Sequence, residues 1–424
     1  MRIAFFVNRF PVVSEAFITN AAAGLIDAGH AVDIYAMVGR GDARHGRHAL
    51  VSEYGLERHA RVMRHREHPR RRLAASPLAA AQLISAHPLT AALALDRSTF
   101  GREAGDLTTL HEAAMFRRRG RYDILHCQFA TLADTVLNHR NAGFLSGKVF
   151  VHFRGYDISN VVQERGEGVY DRVFEQADGF AADCDYFRDR ALRLGAPADR
   201  FAIFPCGVAL ASFPFKARRW SPGEPVNLLS VGRLVEKKGL RHAIGGVAAL
   251  ARDGLDMRFV IMGDGPLHAE LEAQARAEGL SDRITFTGAA THDQIASAFD
   301  EAHIFIAPST TATNGDQDGP LNTLKEAMAC GCPFVTTDHG GIPELVGGVD
   351  AGVMVREADA DAIAQGLRDL LSRHSDWERM GAVGRAHIAA HHSIDVATQG
   401  ALGAYAATLA RSSRPTAEAA THVR

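Results

Sequence analysis

Residues 303–338 read HIFIAPSTTATNGDQDGPLNTLKEAMACGCPFVTTD. The short apolar runs at the two ends of this stretch, rich in Ile, Phe and Val, predict buried β-strands. Between them a polar loop leads to Pro320, which predicts the start of a helix. The apolar residues of that helix share one face, and they are Leu321, Leu324, Ala327 and Met328. A strand, a loop, a helix and a second strand form the repeating unit of a parallel α/β sheet.

The same alternation of short apolar runs and Ala-rich helical stretches continues along the chain. In the second half it predicts strands at 226–233, 257–263, 284–288, 303–309, 333–338 and 351–355. In the first half it predicts strands at 2–8, 31–38, 123–129, 148–154, 179–183 and 201–207. With 424 residues the chain exceeds one ordinary domain of roughly 100 to 200 residues. We therefore expect an α/β fold of two Rossmann-like parallel-sheet domains facing a central cleft.

The domain boundaries follow from where regular patterns stop. We expect a first domain over residues 1–213 and a second over 226–392, joined by a linker at 214–225 that is broken by prolines and a glycine. Residues 393–411 predict a helix that packs back toward the first domain. Residues 412–424 predict a flexible tail.

Composition narrows the classes of function. The chain has 47 Lys and Arg against 49 Asp and Glu, so it lacks the basic excess typical of nucleic-acid-binding proteins. Its five cysteines lie mostly in apolar runs, which indicates reduced, buried residues in a cytoplasmic protein and no metal site. No run of about 20 apolar residues predicts a membrane span.

Polar residues collect in the loops after strands, where parallel sheets bind ligands. Gly319 and Pro320 place a helix start in such a loop, and a helix N-terminus attracts phosphate. Asp318 and Glu326 flank it, and carboxylates suit the hydroxyls of a ribose or a sugar rather than phosphate. The alternative interpretation is that Asp318 caps the helix and Glu326 is a solvated charge.

Two cations, Arg233 and Lys238, follow the first strand of the second half and suit a diphosphate. A solvated surface position is the alternative for each of them. On the first half, the residues expected to face the cleft and contact an acceptor are Ser14, Glu15, His126, Arg154 and Asp157. His126 could orient or deprotonate a hydroxyl, or it could be structural, and Asp157 could be a turn residue.

The order of these motifs resembles that of the family 4 glycosyltransferases of the GT-B fold. The resemblance rests on GRLVEKKG, GDGPL, ITFTGA, IAPS, DGPLNTLKE, AMACG and GGIPELV, which follow one another over about 130 residues. The first half resembles a branch that acts in exopolysaccharide and colanic-acid-type assembly, through FPVVSEAFI (10–18), HCQFA (126–130) and FRGYDIS (153–159).

This resemblance implies metal-independent, retaining transfer from a nucleotide sugar, which family frequency makes UDP-linked, to a glycan, a lipid-linked saccharide or a small molecule. It implies that Arg233 and Lys238 hold the diphosphate, Glu326 the ribose and Asp318 the donor sugar. Further donor contacts would come from Gly232, Gly263, Gly288, Ala289, Gly319, Pro320, Leu321 and Asn322. The candidate catalytic residues are Arg233, Lys238, Asp318, Glu326, His126 and Arg154.

Two positions depart from the family pattern. Asp318 stands where the family usually has Glu, and Arg154 stands where many relatives have His close to the transferred sugar. These departures favour one alternative, a catalytically silent sugar-nucleotide-binding protein. Two further alternatives are an antibiotic or other natural-product glycosyltransferase and a sugar-nucleotide epimerase.

The segment 57–72 is the most basic part of the chain, with seven Arg and three His against two Glu. One interpretation is a solvated surface segment. The other is peripheral contact with anionic lipid headgroups, at the inner face of the membrane, or with a lipid-linked acceptor's pyrophosphate.

Overall fold

The computed structural model describes residues 1–41, 48–63, 68–116 and 120–411. Within them the chain forms two parallel sheets in two α/β domains, which confirms the expected architecture. The predicted tail at 412–424 and residues 64–67 of the basic segment lie outside the described residues. No helix in the described part of the chain is long and apolar enough to cross a bilayer.

The first sheet has the strand order β3-β2-β1-β4-β5-β6-β7, with every neighbouring pair parallel. Its strands are β1 Arg2–Phe10, β2 Ala31–Arg40, β3 Ala60–Val62, β4 Arg121–Cys127, β5 Ser146–Phe153, β6 Gly179–Ala182 and β7 Phe201–Ile203. The residues from Ile3 to Val7 in the interior strand β1 are fully buried. Such continuous apolar runs indicate strands that helices cover on both faces.

The second sheet has the order β10-β9-β8-β11-β12-β13 and is also parallel. Its strands are β8 Val226–Val231, β9 Met257–Met262, β10 Ile284–Gly288, β11 Ile304–Ala307, β12 Phe334–Thr337 and β13 Gly352–Val355. In both sheets the chain reverses its winding direction beside the first strand, at β1/β4 and β8/β11. Ligands bind at such reversal points, outside the carboxyl ends of the strands.

Helices of widely varying length connect the strands. They are α1 Ala16–Asp27, α2 Ala49–Glu53, α3 Leu56–His59, α4 Pro69–Ala86, α5 Arg97–Phe100, α6 Arg102–Gly105, α7 Thr108–Phe116, α8 Ala133–Asn141, α9 Asn160–Arg165, α10 Asp171–Gln176, α11 Asp185–Arg193, α12 Leu240–Arg252, α13 His268–Ala277, α14 His292–Glu301, α15 Asn322–Ala329, α16 Ile342–Val346, α17 Ala360–Ser372, α18 Trp377–His391 and α19 Ile394–Ala410. The predicted apolar face of α15 and its N-cap Leu321 is buried in the core of the second domain.

All twelve predicted strands are present, and the sequence patterns missed only β3 among the strands of the described chain. That strand has three residues at the sheet edge, too few to show a period of two. Several strands end earlier than predicted. The polar residues that follow them, such as Arg233 after β8, are therefore free to turn into the cleft.

The last helix, α19, returns to the first domain and packs against α1, β5 and β6. Its Tyr405 is fully buried, and the phenol oxygen lies 2.6 Å from Nδ1 of His126. At Gly24 of α1 an added Cβ would lie 2.1 Å from Oγ1 of Thr398, so the two helices touch closely. The exact domain boundaries and the linker at 214–225 stay a prediction.

We expect Tyr405 to anchor α19. Tyr405→Ala should lower the free energy of unfolding by about 3–5 kcal/mol, because it removes a buried ring. Tyr405→Phe should lower the free energy of unfolding by only about 1 kcal/mol, because it removes the hydrogen bond and keeps the ring. Leu409→Ala, at a partly exposed position of the same helix, is the control, and urea denaturation is the measurement. If Tyr405→Ala were as mild as Leu409→Ala, the anchoring role would be wrong.

Candidate functional site

A cleft of about 760 Å³ opens between the carboxyl ends of the two sheets and is lined by both domains. Most of the sequence-predicted site residues line it together. From the first domain these are Ser14, Glu15, Arg154 and Asp157, and from the second they are Gly232, Arg233, Lys238, Gly263, Ala289, Asp318, Gly319, Pro320, Leu321, Asn322 and Glu326. His126 and Gly288 do not line the cleft.

Asp318 is the centre of a buried ion cluster. Nζ of Lys238 donates to its Oδ2 at 2.9 Å, and Nζ of Lys237 lies 3.3 Å from its Oδ1. The Ser309 hydroxyl donates to Oδ2 at 2.8 Å. Burial alone would raise the pKa of Asp318, but the two lysines outweigh it and hold that pKa well below its usual range. Both carboxylate oxygens are therefore occupied by the protein.

The backbone of Asp318 is fixed as firmly as its side chain. Its N–H donates to Nε2 of His339 at 3.0 Å, and Nδ1 of His339 lies 2.6 Å from a carboxylate oxygen of Glu357. At the next residue, Gly319, an added Cβ would lie 2.5 Å from the Phe187 ring of the first domain. Only glycine allows the two domains to approach this closely here.

The N-terminal end of α15 faces the cleft and carries features that favour an anion. The first N–H groups of a helix have no partner within it, and the helix dipole places partial positive charge there. Leu321 is the N-cap residue and offers no side-chain acceptor to these groups. Helix α15 thus presents N–H donors to the cleft beside Asn322 and Thr323, which both line it.

Arg233 is the cation that remains available. Its side chain is exposed and makes no hydrogen bond or ion pair with another residue in the described part of the chain. The loop after β9 supports its position, because Gly263 has a φ of 143° and an added Cβ would lie 1.8 Å from the carbonyl oxygen of Gly232. Gly288 donates no side chain to the cleft; its carbonyl oxygen accepts from the N–H of Gly263 at 2.9 Å.

Glu326 is a half-buried carboxyl on α15 that lines the cleft. It forms no hydrogen bond or ion pair with another described residue. Burial raises the pKa of Glu326 to about 8, and the nearby Lys325 only partly opposes this. A carboxyl at a cleft wall without a protein partner suits a ligand that brings hydroxyl groups.

Arg154 turns inward, in contrast to Arg233. Its Nε donates to the carbonyl oxygen of Gln128 at 3.0 Å, and its Nη2 donates to Oε1 of the same residue at 2.8 Å. Nη1 donates to Oδ1 of Asp183 and to Sγ of Cys206, both at 2.9 Å, and Nη2 also lies 3.2 Å from Nδ1 of His152. The five N–H donors of Arg154 thus face protein acceptors, so its contribution to a ligand is charge and position.

Glu15 lies near Arg154 at the start of the first helix. Burial raises the pKa of Glu15 to about 7, although Arg154 and Arg233 oppose the shift. Its Oε2 is buried and has no hydrogen-bond partner among the described residues. Glu15 and the exposed Ser14 therefore offer polar groups to a molecule entering the first-domain side of the cleft.

Asp157 positions the loop of the first domain. Its Oδ1 accepts from the N–H of Arg154 at 2.8 Å and its Oδ2 accepts from the N–H of Ala130 at 2.9 Å. Burial raises the pKa of Asp157 to about 6 despite these two bonds. These contacts favour the interpretation of Asp157 as a turn residue.

His126 does not reach the cleft, contrary to its predicted position. It lies inside β4, opposite Phe5 of β1, and its ring points to the sheet face that α19 covers. Burial lowers its pKa well below the usual value, so the ring is neutral. Side chains alternate between faces along a strand, and the residue before the last can point away from the strand end.

Sequence reasoning missed four charged groups of the cleft, which are Asp183, Lys237, Asp264 and Asp316. Lys237 is buried between Asp316 and Asp318, 3.0 and 3.3 Å from their carboxylates. The EKK triplet at 236–238 contains both lysines, but the sequence pattern favoured Lys238 alone because Gly239 follows it. Asp183, which pairs with Arg154 at 2.9 Å, ends the strand-like run GFAAD. The rule that selected the other strand-end residues would also have selected Asp183.

Comparison with known proteins agrees with this geometry. The family described as Glycosyl transferases group 1 matches residues 225–373, the half with Arg233 and Asp318. The chain is 33% identical over 371 residues to the colanic acid biosynthesis glycosyltransferase WcaL of Salmonella typhimurium, covering 87% of this chain and 90% of WcaL. It is 30% identical to the amylovoran biosynthesis glycosyltransferase AmsK of Erwinia amylovora, covering 92% and 95%.

Solved structures share the fold. Anabaena HepE in complex with UDP and glucose superposes with a TM-score of 0.66 at 16% identity, covering 96% of this chain and 99% of HepE. Two domains with parallel sheets around a cleft are therefore common to both proteins.

The raised pKa of Glu326 predicts a pH dependence of stability. The folded chain holds this proton up to about pH 8, whereas the ordinary pKa is 4.5. The resulting stabilisation is complete below pH 4.5 and is lost as the pH rises toward 8. Between about pH 5 and 8 the wild type should lose roughly 1–3 kcal/mol more than Glu326→Gln, because the carboxyl is only half-buried.

Urea denaturation at a series of pH values measures this difference. The exposed Glu278→Gln is the matched control and should follow the wild type. Parallel curves for Glu326→Gln and the wild type would contradict the prediction.

Proposed function

Because this chain belongs to the group 1 glycosyltransferases, also known as family 4, we propose that it is a retaining, metal-independent enzyme that uses a UDP-linked sugar. The sugar would pass to a hydroxyl of a saccharide acceptor, free or lipid-linked, during exopolysaccharide assembly. The colanic acid and amylovoran relatives support the pathway class. The observation that carries the proposal is an available cation, Arg233, beside the unpaired N–H groups of α15.

The two phosphates would lie between Arg233 and the N-terminus of α15. When the glycosidic bond breaks, the nucleoside diphosphate leaves with negative charge, and fixed positive groups stabilise that charge in the transition state. Lys238 adds to this field, although its Nζ is already paired with Asp318. The protein can thus supply electrostatic stabilisation of the leaving group through side chains and backbone donors.

The role proposed for Asp318 changes in the light of its contacts. The sequence resemblance assigned Asp318 to the donor sugar, but both of its oxygens are occupied by Lys237, Lys238 and Ser309. We assign Asp318 to the positioning of the two lysines. Backbone groups around Gly319, which line the cleft, are left to meet the donor sugar.

Glu326 is assigned to the ribose. Its carboxyl has no partner in the described chain and lies about one turn from the phosphate-binding end of α15. On the opposite wall, Glu15 and Ser14 are assigned to the acceptor. With no enzyme nucleophile assigned, we propose that the acceptor attacks the face that the diphosphate leaves, and that the departing phosphate takes its proton.

Arg233→Met should slow turnover of the donor without unfolding the protein, because Arg233 makes no contact that the fold needs. We expect kcat/KM for hydrolysis of UDP-sugars in EDTA to fall by about 30- to 1000-fold, equivalent to about 2–4 kcal/mol. Proton NMR of the reaction with UDP-glucose, UDP-galactose and UDP-N-acetylglucosamine measures the rate. The first product formed should keep the anomeric configuration of the donor.

The exposed Arg258→Met is the matched control and should leave the rate unchanged. Inverted product, or activity that EDTA abolishes, would refute retention or metal independence respectively. Tight UDP binding with no turnover of any of these sugars would identify a silent binding protein instead.

Glu326 should account for recognition of the ribose hydroxyls. The wild type should bind UDP about tenfold or more tightly than 2′,3′-dideoxy-UDP. The reason is that a charged or buried acceptor left without its donor weakens the binding free energy by about 1–3 kcal/mol. Glu326→Gln should bind the two ligands with much closer affinities. Calorimetry measures both. An unchanged preference in Glu326→Gln would reject the assignment, and Glu278→Gln serves as the control.

A further inference from the structure

The first domain carries an uncharged, exposed apolar surface that the cleft does not use. Residues 73–95 contain no Asp, Glu, Lys or Arg. Of the large apolar side chains exposed in the described chain, six of eleven lie in this one segment. They are Leu73, Leu78, Ile84, Leu89, Leu93 and Leu95, with exposed fractions from 41% at Leu93 to 96% at Leu89.

Half of these six side chains, Leu73, Leu78 and Ile84, belong to α4, and the helix geometry shows why they are exposed. The inner face of α4, formed by Arg72, Ser76, Ala79 and Leu83, is buried, and the helix packs against α7. Leu73, Pro77 and Ile84 follow a spacing of four and seven residues, which places them on a common outer face. An outer helix face in a water-soluble domain is normally polar. The outer face of α4 is instead apolar and has no partner in the described chain.

Positive charge lies at both ends of this surface. Arg70 and Arg71 are exposed in the first turn of α4, and Arg97 is exposed just after the segment. Residues 70–97 contain one acid, Asp96, whose negative charge is stabilised by hydrogen bonds from Ser98 and from the Thr99 hydroxyl at 2.6 Å and is outnumbered by the three exposed arginines. The fourth arginine, Arg72, points inward and lies 3.4 Å from Asp106. The exposed rim of the apolar surface is therefore cationic.

We propose that the surface formed by residues 70–97 docks the enzyme onto a membrane that contains anionic lipids. The leucines and Ile84 would enter the headgroup boundary, where burial of apolar area is favourable. Arg70, Arg71 and Arg97 would remain at headgroup level and pair with lipid phosphates. The proposed contact is peripheral. This inference does not depend on the proposed sugar transfer.

The structure favours a different location for the membrane contact from the one that the sequence indicated. Charge alone selected the segment 57–72, part of which lies outside the described residues. Exposed apolar area and charge occur together only later, in α4 and the stretch that follows it. Charge complementarity selects the occupant: anionic headgroups match a cationic rim, whereas a second copy of this chain would bring an equally cationic rim.

Vesicle flotation tests the proposal. The full-length protein should float with vesicles of phosphatidylcholine and phosphatidylglycerol and stay behind with phosphatidylcholine alone, and salt should weaken binding. Arg70→Ser with Arg71→Ser should lower the partition coefficient by about 25-fold, since each arginine near an anionic surface contributes roughly a factor of five. Leu73→Ser, Ile84→Ser and Leu89→Ser together should lower it by more than about tenfold.

Matched variants in the second domain control for lost charge and lost apolar area. These are the exposed pair Arg252→Ser and Arg258→Ser, and the exposed Met354→Ser. All of them should float like the wild type. UDP affinity and melting temperature should be unchanged in every variant, which shows that the fold and the donor site are intact.

Three outcomes would overturn the proposal. The first is that the wild type does not float with anionic vesicles. The second is that it floats equally well with phosphatidylcholine alone, since the cationic rim would then have no role. The third is a dimer, detected by light scattering, that disappears with Leu73→Ser, Ile84→Ser and Leu89→Ser while flotation does not change, because the surface would then join two copies of the chain.

Discussion

The ion cluster around Asp318 holds the cleft together. A buried carboxylate is costly unless cations and hydrogen bonds compensate for its lost hydration. Lys237 and Lys238 supply this compensation from the turn after β8, while the carboxylate comes from the loop after β11. The same cluster therefore fixes two neighbouring loops. It sets where α15 begins and, through the short turn that carries the lysines, where Arg233 emerges into the cleft.

The first domain contains a similar buried cluster, in which the central charged group is positive instead of negative. There a buried guanidinium, Arg154, faces five acceptors, and its pairing with Asp183 lowers the pKa of that acid well below its usual range against the effect of burial. Cys206 accepts from Arg154, and its carbonyl oxygen accepts from Lys325 at 3.2 Å. Because Lys325 precedes Glu326 on α15, this contact ties the first domain to the helix that we assign to the donor. The two walls of the cleft are thus connected through buried charged groups.

The sequence could predict the two sheets and most cleft residues because both depend on local patterns. Short apolar runs mark buried strands, and polar residues just after them reach a common edge. What it could not predict depends on contacts across the fold. His126 satisfies the strand-end rule, yet its ring meets Tyr405, which lies 279 residues away in the sequence. The contacts of Asp318 with His339 and of Arg154 with Cys206 also join residues far apart in the sequence, by 21 and 52 positions.

The structure separates the charged residues of the cleft into two groups, those bound by the protein and those without a protein partner. Asp318, Arg154 and Asp157 have their polar atoms occupied by the protein, so they shape the cleft. Arg233 and Glu326 have no such partners in the described chain, and one oxygen of Glu15 is buried without one. A buried polar atom without a partner, such as Oε2 of Glu15, lowers stability and persists where a ligand satisfies it, whereas Arg233 is exposed to water. A cation, a carboxyl on the same wall and a second carboxyl opposite match, in order, a diphosphate, a ribose and an acceptor hydroxyl.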